Sequence, residues 1–308
     1  MKKKVFIIIV NFNGWPDTKE CLESLSRVEY DNFEVVLIDN ASKELMPSPF
    51  VIPGSTRNLK ITQIQNDKNL GFAGANNQGI KLAMEKGADY VLLLNNDTTV
   101  GSDFLTKLVE EAESDEPTGI IGPLIYFYDS QRAIGDKQLI WSAGGRISDN
   151  FTRGELIAYQ EKDEGHYEVT EQVDYISGTC LLIKAEVIKK IGLISEDYFL
   201  YYEDTDWCLR AARAGWRCLL APAAKIYHKA SKSTVEFSYP YIYYHSRNGL
   251  MFGERFGNKL VVYSLSVWIF LKQIIKLVSG FRRDWAKPVM HGVWDFWKGK
   301  KGKLEGYY

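Results

Sequence analysis

Cysteine is scarce in this chain, no excess of either charge sign is present, and no apolar run is long and unbroken enough to read as a membrane span. The four cysteines, Cys21, Cys180, Cys208 and Cys218, lack metal-binding spacing. They read as small buried hydrophobes of a reducing compartment. Lys and Arg total 38 against 39 Asp and Glu, which gives no global field for nucleic acid or an acidic partner. The run Val5 to Val10 follows three lysines but is too short for a signal-peptide core and stops at Asn11. Near the end, Leu260 to Val278 is interrupted by Lys272, Gln273 and Lys276, short of the roughly 20 apolar residues a bilayer crossing needs. Internal repeats, a Walker loop and a G-x-G-x-x-G fingerprint are all missing.

What remains is ample apolar material, 45% of 308 residues, enough for one long domain or one domain with appendages. Up to about residue 125 the pattern alternates strand and helix. Val5 to Val10 is a continuous apolar run, as a strand covered on both faces requires, and Phe33 to Ile38 and Tyr90 to Leu94 read as further buried strands. Ile61 to Ile64 adds a short strand. Thr18 to Val28, Ala73 to Lys86 and Phe104 to Ala112 carry helical spacing, and Pro47 to Asn58 reads as an exposed loop. Such a series implies an α/β fold with a mostly parallel central sheet flanked by helices. From Gly119 the pattern changes. Strands are predicted over Gly119 to Tyr128 and Val173 to Ile183, around an irregular or hairpin-like Asp129 to Gly165. Helices follow at Val187 to Ile191 and Asp204 to Ala214, then a strand from Trp216 to Leu220 ended by Pro222. The segment Lys259 to Tyr308 holds ten basic residues, three acidic ones and four tryptophans. Lys272 and Lys276 share one helical face, so it reads either as an amphipathic helix on an anionic membrane or as an ordinary helix packed on the rest.

Ligands of open α/β sheets bind beyond the carboxyl ends of the strands, and three polar clusters fall there. They are Asn11-Phe12-Asn13, Asp39-Asn40 and Asn95-Asn96-Asp97. One acid at a strand end is often a helix cap. Asp97, among polar groups at the mouth of a very apolar strand, instead suits a hard cation such as Mg²⁺ or Mn²⁺ completed by water and a diphosphate. The glycines of Asn69 to Asn77 precede a helix and would let a ligand approach backbone N–H groups. Tyr201 to Trp207 sets three acids among aromatics, more than capping needs, where burial raises a carboxylate towards the range of a useful base. His228 alone would be structural more often than a ligand.

In combination these segments resemble family 2 of the glycosyltransferases, which have the GT-A fold, and especially its bacterial rhamnosyltransferase-like members that build surface polysaccharides. The resemblance runs from Val5 to about Asn248. It rests on Ile7-Ile8-Ile9-Val10-Asn11-Phe12-Asn13, Leu37-Ile38-Asp39-Asn40-Ala41-Ser42, Asn69 to Asn77 and Leu93-Leu94-Asn95-Asn96-Asp97, with Ser177-Gly178, Tyr202 to Trp207 and Tyr227-His228-Lys229. It implies that Asp39 accepts a hydrogen bond from a pyrimidine base, with Val10 and Phe12 lining the base pocket and Asn40 beside it. Asn69, Gly71 and Asn76 would border the nucleoside and diphosphate, with Asn95 and Asn96 alongside. Asp97 and His228 would hold Mg²⁺ or Mn²⁺, and Asp204, next to Glu203, would be the general base of an inverting transfer. Trp141, Gly144, Gly145, Ser177 and Gly178 fall in the region that shapes the acceptor side. One departure is plain: the family's Asp-x-Asp motif is Asn95-Asn96-Asp97 here, leaving a single carboxylate.

The expected donor is a dTDP- or UDP-sugar, the expected acceptor a glycan or polyprenyl-linked glycan, and the expected place the cytoplasmic face of a membrane. Residues 1–257 would form the catalytic domain, with 1–125 binding nucleotide sugar and 126–257 serving acceptor and catalysis, followed by a C-terminal helical appendage over 258–308. Two rivals are set against this. A sugar nucleotidyltransferase needs a basic Gly-rich loop after its first strand, which Asn11 to Gly14 is not. A catalytically silent glycan-binding protein of the same fold would be expected to lack Asp97 or Asp204, and both are present.

Overall fold

A computed structural model describes residues 2–44, 59–114, 117–128, 138–230, 237–280 and 282–307. The expected loop at Pro47 to Asn58 lies outside the described residues. Strand β1 (Val5–Asn11) is buried along its length and leads into α1 (Trp15–Leu25). That helix starts three residues before the expected Thr18, because Pro16 sits in its first turn, where a missing N–H costs no helical bond. Next come β2 (Phe33–Asp39), β3 (Ile61–Gln65) and α2 (Gly71–Glu85), then β4 (Tyr90–Leu94), β5 (Thr98–Val100) and α3 (Phe104–Ser114). β3, β2, β1 and β4 lie side by side and parallel. The chain therefore moves outward from β1 on one side and returns to its other side at β4. Such a reversal opens a crevice at the carboxyl ends of β1 and β4.

The second half extends the same sheet with mixed polarity. β6 (Thr118–Phe127) is followed by β7 (Ile140–Ser142), the small hairpin of β8 (Gly145–Ile147) and β9 (Gly154–Leu156), and β10 (Glu171–Val173). β11 (Cys180–Lys184) then runs antiparallel between β4 and β6. The single strand expected over Val173 to Ile183 is thus two strands in different parts of the sheet. Helices α4 (Ala185–Ile191) and α5 (Glu203–Arg213) lead to β12 (Arg217–His228), parallel to β6. β12 does not end at Pro222 as expected. The register breaks between Ala221 and Lys225, and a bulge there accommodates a residue with no N–H to give the ladder. This continuation delivers His228 to the crevice. Two apolar layers cover the sheet, one holding Cys21 and Cys180 and the other Trp207, Cys208 and Cys218. All four cysteines are buried and unpaired, as their spacing implied.

Three helices close the chain: α6 (Tyr239–Phe256), α7 (Lys259–Ser279) and α8 (Arg283–Trp297). α8 lies close against α6, since a Cβ at Gly292 would come within 2.8 Å of the Tyr243 carbonyl. A buried polar relay joins them. The Tyr243 hydroxyl donates to Asp295 at 2.9 Å, and Arg247 reaches both Tyr243 and Asn248. α7 is 21 residues long and holds an 18-residue stretch of mean hydropathy 1.6, long and apolar enough to cross a bilayer by length and composition alone, with Lys272 and Lys276 within the helix.

Candidate active site

The carboxyl ends of β1, β2 and β4 open into a cleft of about 660 Å³, walled on the far side by the start of α5 and by α6. Asn11 and Asp39 stand at its base, fully buried. Asn11 donates to Asp39 at 3.1 Å, Gln65 donates to the other Asp39 oxygen at 2.6 Å, and the Ser42 hydroxyl also bonds Asp39. Asp39 stands behind the lining, accepting three hydrogen bonds. A carboxylate has about four acceptor positions, so capacity for one more remains. Val10, Phe12 and Asn40 do face the cleft. Asn40 ties the Gly-rich segment in place, donating to Asn69 at 3.0 Å and accepting from the Leu70 N–H at 3.0 Å. Gly71 begins α2 with φ +73°, and a Cβ there would lie 2.4 Å from the Phe199 carbonyl, so only glycine fits.

Across the mouth of β4, Asn95, Asn96 and Asp97 line the cleft in different ways. The Asn96 amide turns towards α1, donating to Thr18 at 2.9 Å, so it shapes the loop. Asp97 Oδ1 lies 3.1 Å from His228 Nε2, both groups nearly buried but open to the cleft. The Trp141 ring meets the His228 imidazole edge-on at 4.5 Å. His228 Nδ1 has no hydrogen-bond partner among the described residues. Beside this pair, Lys229 is fixed by Asp17 at 2.8 Å and Glu20 at 2.5 Å on α1, a brace that no motif announced.

The facing wall is the acidic cluster. Tyr201 and Tyr202 both adopt left-handed backbone, φ 68° and 76°, immediately before α5. Such conformations are strained for non-glycine residues and persist where surrounding contacts enforce them. Here Asn248 enforces them, donating to the carbonyls of Leu200 at 2.8 Å and Tyr201 at 3.0 Å. The turn brings Glu203 and Asp204 to the cleft, while Asp206 points away. Asp206 is fully buried between Arg210 at 2.7 Å and Arg255 at 2.8 Å, and it joins α5 to α6.

Asp204 accepts from the Gly178 N–H at 2.8 Å and from the Thr205 N–H at 2.6 Å. Burial pushes its pKa above the ordinary aspartate value despite those bonds. Glu203 is also raised, first by burial and then by the neighbouring Asp204 charge, and its Oε2 has no hydrogen-bond partner among the described residues. Two adjacent carboxyls pushed to different degrees suit a division into ionised base and neutral donor.

Trp141, Ser177 and Gly178 line the cleft as the acceptor-side reading required, whereas Gly144 and Gly145 pack on Val173 and Tyr175 outside it. Sequence reasoning missed Tyr241 and His245, which α6 places at the rim beside Tyr201. Their only signal was the aromatic run Tyr239 to His245. Burial lowers the His245 pKa to about 4, so that ring is neutral. Among the described residues, no group of three or more His, Cys, Asp or Glu forms a metal cage.

Comparison with known proteins places this cleft in context. The family model described as Glycosyl transferase family 2 matches residues 6–192. A dTDP-rhamnosyl transferase of Shigella flexneri is 27% identical over 237 residues, spanning 77% of this chain and 72% of its own length. An N-acetylglucosaminyl-diphospho-decaprenol L-rhamnosyltransferase of Mycobacterium tuberculosis is 26% identical over 239 residues, spanning 74% and 76%. A solved mannosyltransferase from Pyrobaculum calidifontis, in complex with GDP-Man and Mn²⁺, superposes with a TM-score of 0.59 at 14% identity, covering 98% of this chain and 89% of that one. At that identity the likeness shows the fold, which is of the GT-A type.

Proposed function

The chain belongs to glycosyl transferase family 2, and from that premise we propose that it is an inverting transferase moving a sugar, with rhamnose favoured, from a dTDP- or UDP-sugar to a hydroxyl of a lipid-linked or free glycan. The observation that carries this reading is one cleft lined by both groups: the Asp97–His228 pair and the Asp204 carboxylate, which Gly178 and Thr205 hold.

On the donor side, the base packs by Val10 and Phe12, and Asp39 supports that pocket from behind through Asn11, Ser42 and Gln65. Asn40, Asn69, Gly71 and Asn76 border the nucleoside and diphosphate, with the N-terminal end of α2 offering its dipole. The fit to a divalent ion can be judged from the Asp97–His228 separation. Neighbouring ligands of an octahedral ion with bonds of about 2.1 Å stand about 3 Å apart, and these atoms are 3.1 Å apart. Asp97 and His228 would therefore hold Mg²⁺ or Mn²⁺, with the remaining positions left to water and diphosphate oxygens. When bound, such an ion neutralises charge on the departing diphosphate.

Asp204 takes the proton of the acceptor hydroxyl as that oxygen attacks the anomeric carbon. Burial raises its pKa above the ordinary aspartate value, which makes it a stronger base. Glu203, raised by burial and by the Asp204 charge, stands beside it as the second carboxyl of the site. The rigid Tyr201–Tyr202 turn fixes both groups, and orientation of this kind supplies a large share of the rate.

The membrane reading draws support from α7, which is built inside out. Its buried residues are Val262, Ser266 and Gln273, whereas Leu260, Val267, Leu271, Ile274 and Val278 form an exposed stripe at helical spacing. Each such side chain left in water forgoes about 1.5–3 kcal/mol, so a stripe of five calls for a cover. Lys272 and Lys276 flank it, as cations at a headgroup level do. The protein is accordingly proposed to sit peripherally on the cytoplasmic face of an anionic membrane, with 258–308 as its membrane-facing appendage. A screen of dTDP- and UDP-sugars, with a glycan acceptor and with or without Mn²⁺, tests the function. One donor should yield its nucleoside diphosphate in the presence of Mn²⁺. Intact donors throughout, or nucleoside triphosphate chemistry instead, would sink the proposal.

A further inference from the structure

An unbroken line of aromatic rings leaves the cleft and ends at the turn between α7 and α8. Tyr201 and His245, at the rim, stack at 4.4 Å, and Tyr241 contacts both, at 5.4 Å and 4.3 Å. Tyr241 meets Phe237 at 5.8 Å, and Phe237 meets Trp285 on α8 at 5.3 Å. The guanidinium of Arg282 lies over the Trp285 ring at 5.4 Å, with exposed Arg283 and Lys287 nearby in sequence. Phe237 is 54% exposed, unusual for a phenylalanine with no hydroxyl to hydrate. Backbone at Tyr201, Phe237 and Arg282 is left-handed, φ 68°, 66° and 48°. The α7 stripe begins one turn before this end, where Arg283 donates to the Leu277 carbonyl.

The sequence of chemistries along the line is carboxylate base, aromatic faces, guanidinium, then apolar helix. Pyranose rings present apolar C–H faces that pack on aromatic rings, and guanidinium recognises phosphate oxygens in fork geometry. We propose that this line is an acceptor track for a lipid-linked diphospho-oligosaccharide, with sugars on Tyr241 and Phe237, the diphosphate at Arg282 and the lipid beside α7. It rests on the glycosyl-transfer reading above and names the acceptor class of that same site. The length of the line beyond Tyr241 implies an acceptor glycan longer than one sugar.

Equilibrium dialysis in EDTA, with the full chain in neutral detergent, tests the track. Three probes serve: farnesyl-diphospho-chitobiose, farnesyl chitobioside without the diphosphate, and farnesyl diphosphate without sugar. Phe237→Ala should weaken both sugar-bearing probes about tenfold and leave farnesyl diphosphate within twofold. Arg282→Gln should weaken the two diphosphate probes about tenfold, the scale of one charge-assisted contact, and spare the chitobioside. Both positions are solvent-exposed, so neither change endangers folding. Anionic vesicles run alongside separate a lipid headgroup from the diphosphate. If Arg282→Gln loses only vesicle binding, the guanidinium serves the bilayer and the track is wrong. Unaltered probe binding in both variants, equal weakening of all three probes, or no binding by the wild type also overturns it. Donor turnover on soluble glycans would persist in each of those cases if the transfer reading stands, so the two claims fail separately.

Discussion

Replacing Asp204 by Asn removes the base and little else. One Asp204 oxygen accepts from the Gly178 N–H at 2.8 Å, the other from the Thr205 N–H at 2.6 Å and the Thr205 hydroxyl at 3.1 Å. An asparagine can satisfy Thr205 with its carbonyl but must then aim an NH₂ at the Gly178 N–H. One lost bond and an unmatched donor cost about 1–3 kcal/mol, within the roughly 5–15 kcal/mol stability of a domain. The fold therefore persists. Loss of a general base lowers turnover by about 10²-fold or more, about 2.7 kcal/mol at 1.36 kcal/mol per factor of ten. Donor affinity should stay within about twofold, because Asp204 bonds Gly178 and Thr205 rather than the residues proposed to hold the nucleotide. The assay is nucleoside diphosphate release under saturating donor, with donor Kd by calorimetry. Glu203→Gln is the partner experiment, since glutamine keeps the hydrogen-bond donor of a neutral acid, and it should retain kcat within about tenfold. Normal turnover in Asp204→Asn with a dead Glu203→Gln would show that the roles are reversed.

Metal removal should be equally informative: EDTA should suppress transfer, Mn²⁺ or Mg²⁺ should restore it, and Asp97→Ala should abolish the rescue. Full activity in chelator would return Asp97 to a helix-capping role. A buried acid with a raised folded pKa costs stability in full above that pKa, progressively less as pH falls towards its ordinary value, and nothing below the ordinary value. Glu203→Gln should therefore raise the Tm relative to wild type at alkaline pH, by an increment that shrinks as pH falls through the Glu203 pKa. An increment independent of pH, or a lower Tm, would show that Glu203 is not held neutral by its surroundings. The acid limb of kcat should likewise lie above the ordinary aspartate range, because burial raises Asp204. Vesicles rich in anionic lipid should bind the full chain. Exposed-site changes Leu271→Asp and Ile275→Asp should abolish that binding, and Lys272→Gln or Lys276→Gln should weaken it about fivefold, roughly 1 kcal/mol per cation. Equal binding by all of these variants would make α7 a protein-contact helix.

The parallel half of the sheet was legible because Val5 to Val10, Phe33 to Ile38 and Tyr90 to Leu94 are covered on both faces and so are apolar at nearly every position, Glu34 apart. The second half was harder, because its strands are defined by partners distant in sequence. Pro222 looked like a stop, but a bulge absorbed it and carried β12 on to His228. The polar clusters at the strand ends were visible as clusters, yet sequence does not tell a lining side chain from a buttress. Asn96 turns to Thr18, Asp39 sits behind the wall, and Asp206 serves two arginines. The strained turn at Tyr201 and its anchor Asn248 carry no sequence mark, since the strain is created by α6. The appendage was legible in composition but not in packing. α8 covers α6 through Tyr243 and Asp295, so truncation after Gly257 would uncover buried surface. Point changes on α7 are the cleaner test.

The proposed single base, Asp204, with no covalent nucleophile in the scheme, predicts direct displacement and a product of opposite anomeric configuration. For the donor that the screen identifies, ¹H NMR of the product formed in the first turnovers gives the anomeric coupling at the transferred sugar. Inversion relative to the donor is the expected result. Retention would require a covalent or internal-return route that a lone Asp204 base does not provide, and would contradict the assignment of the site.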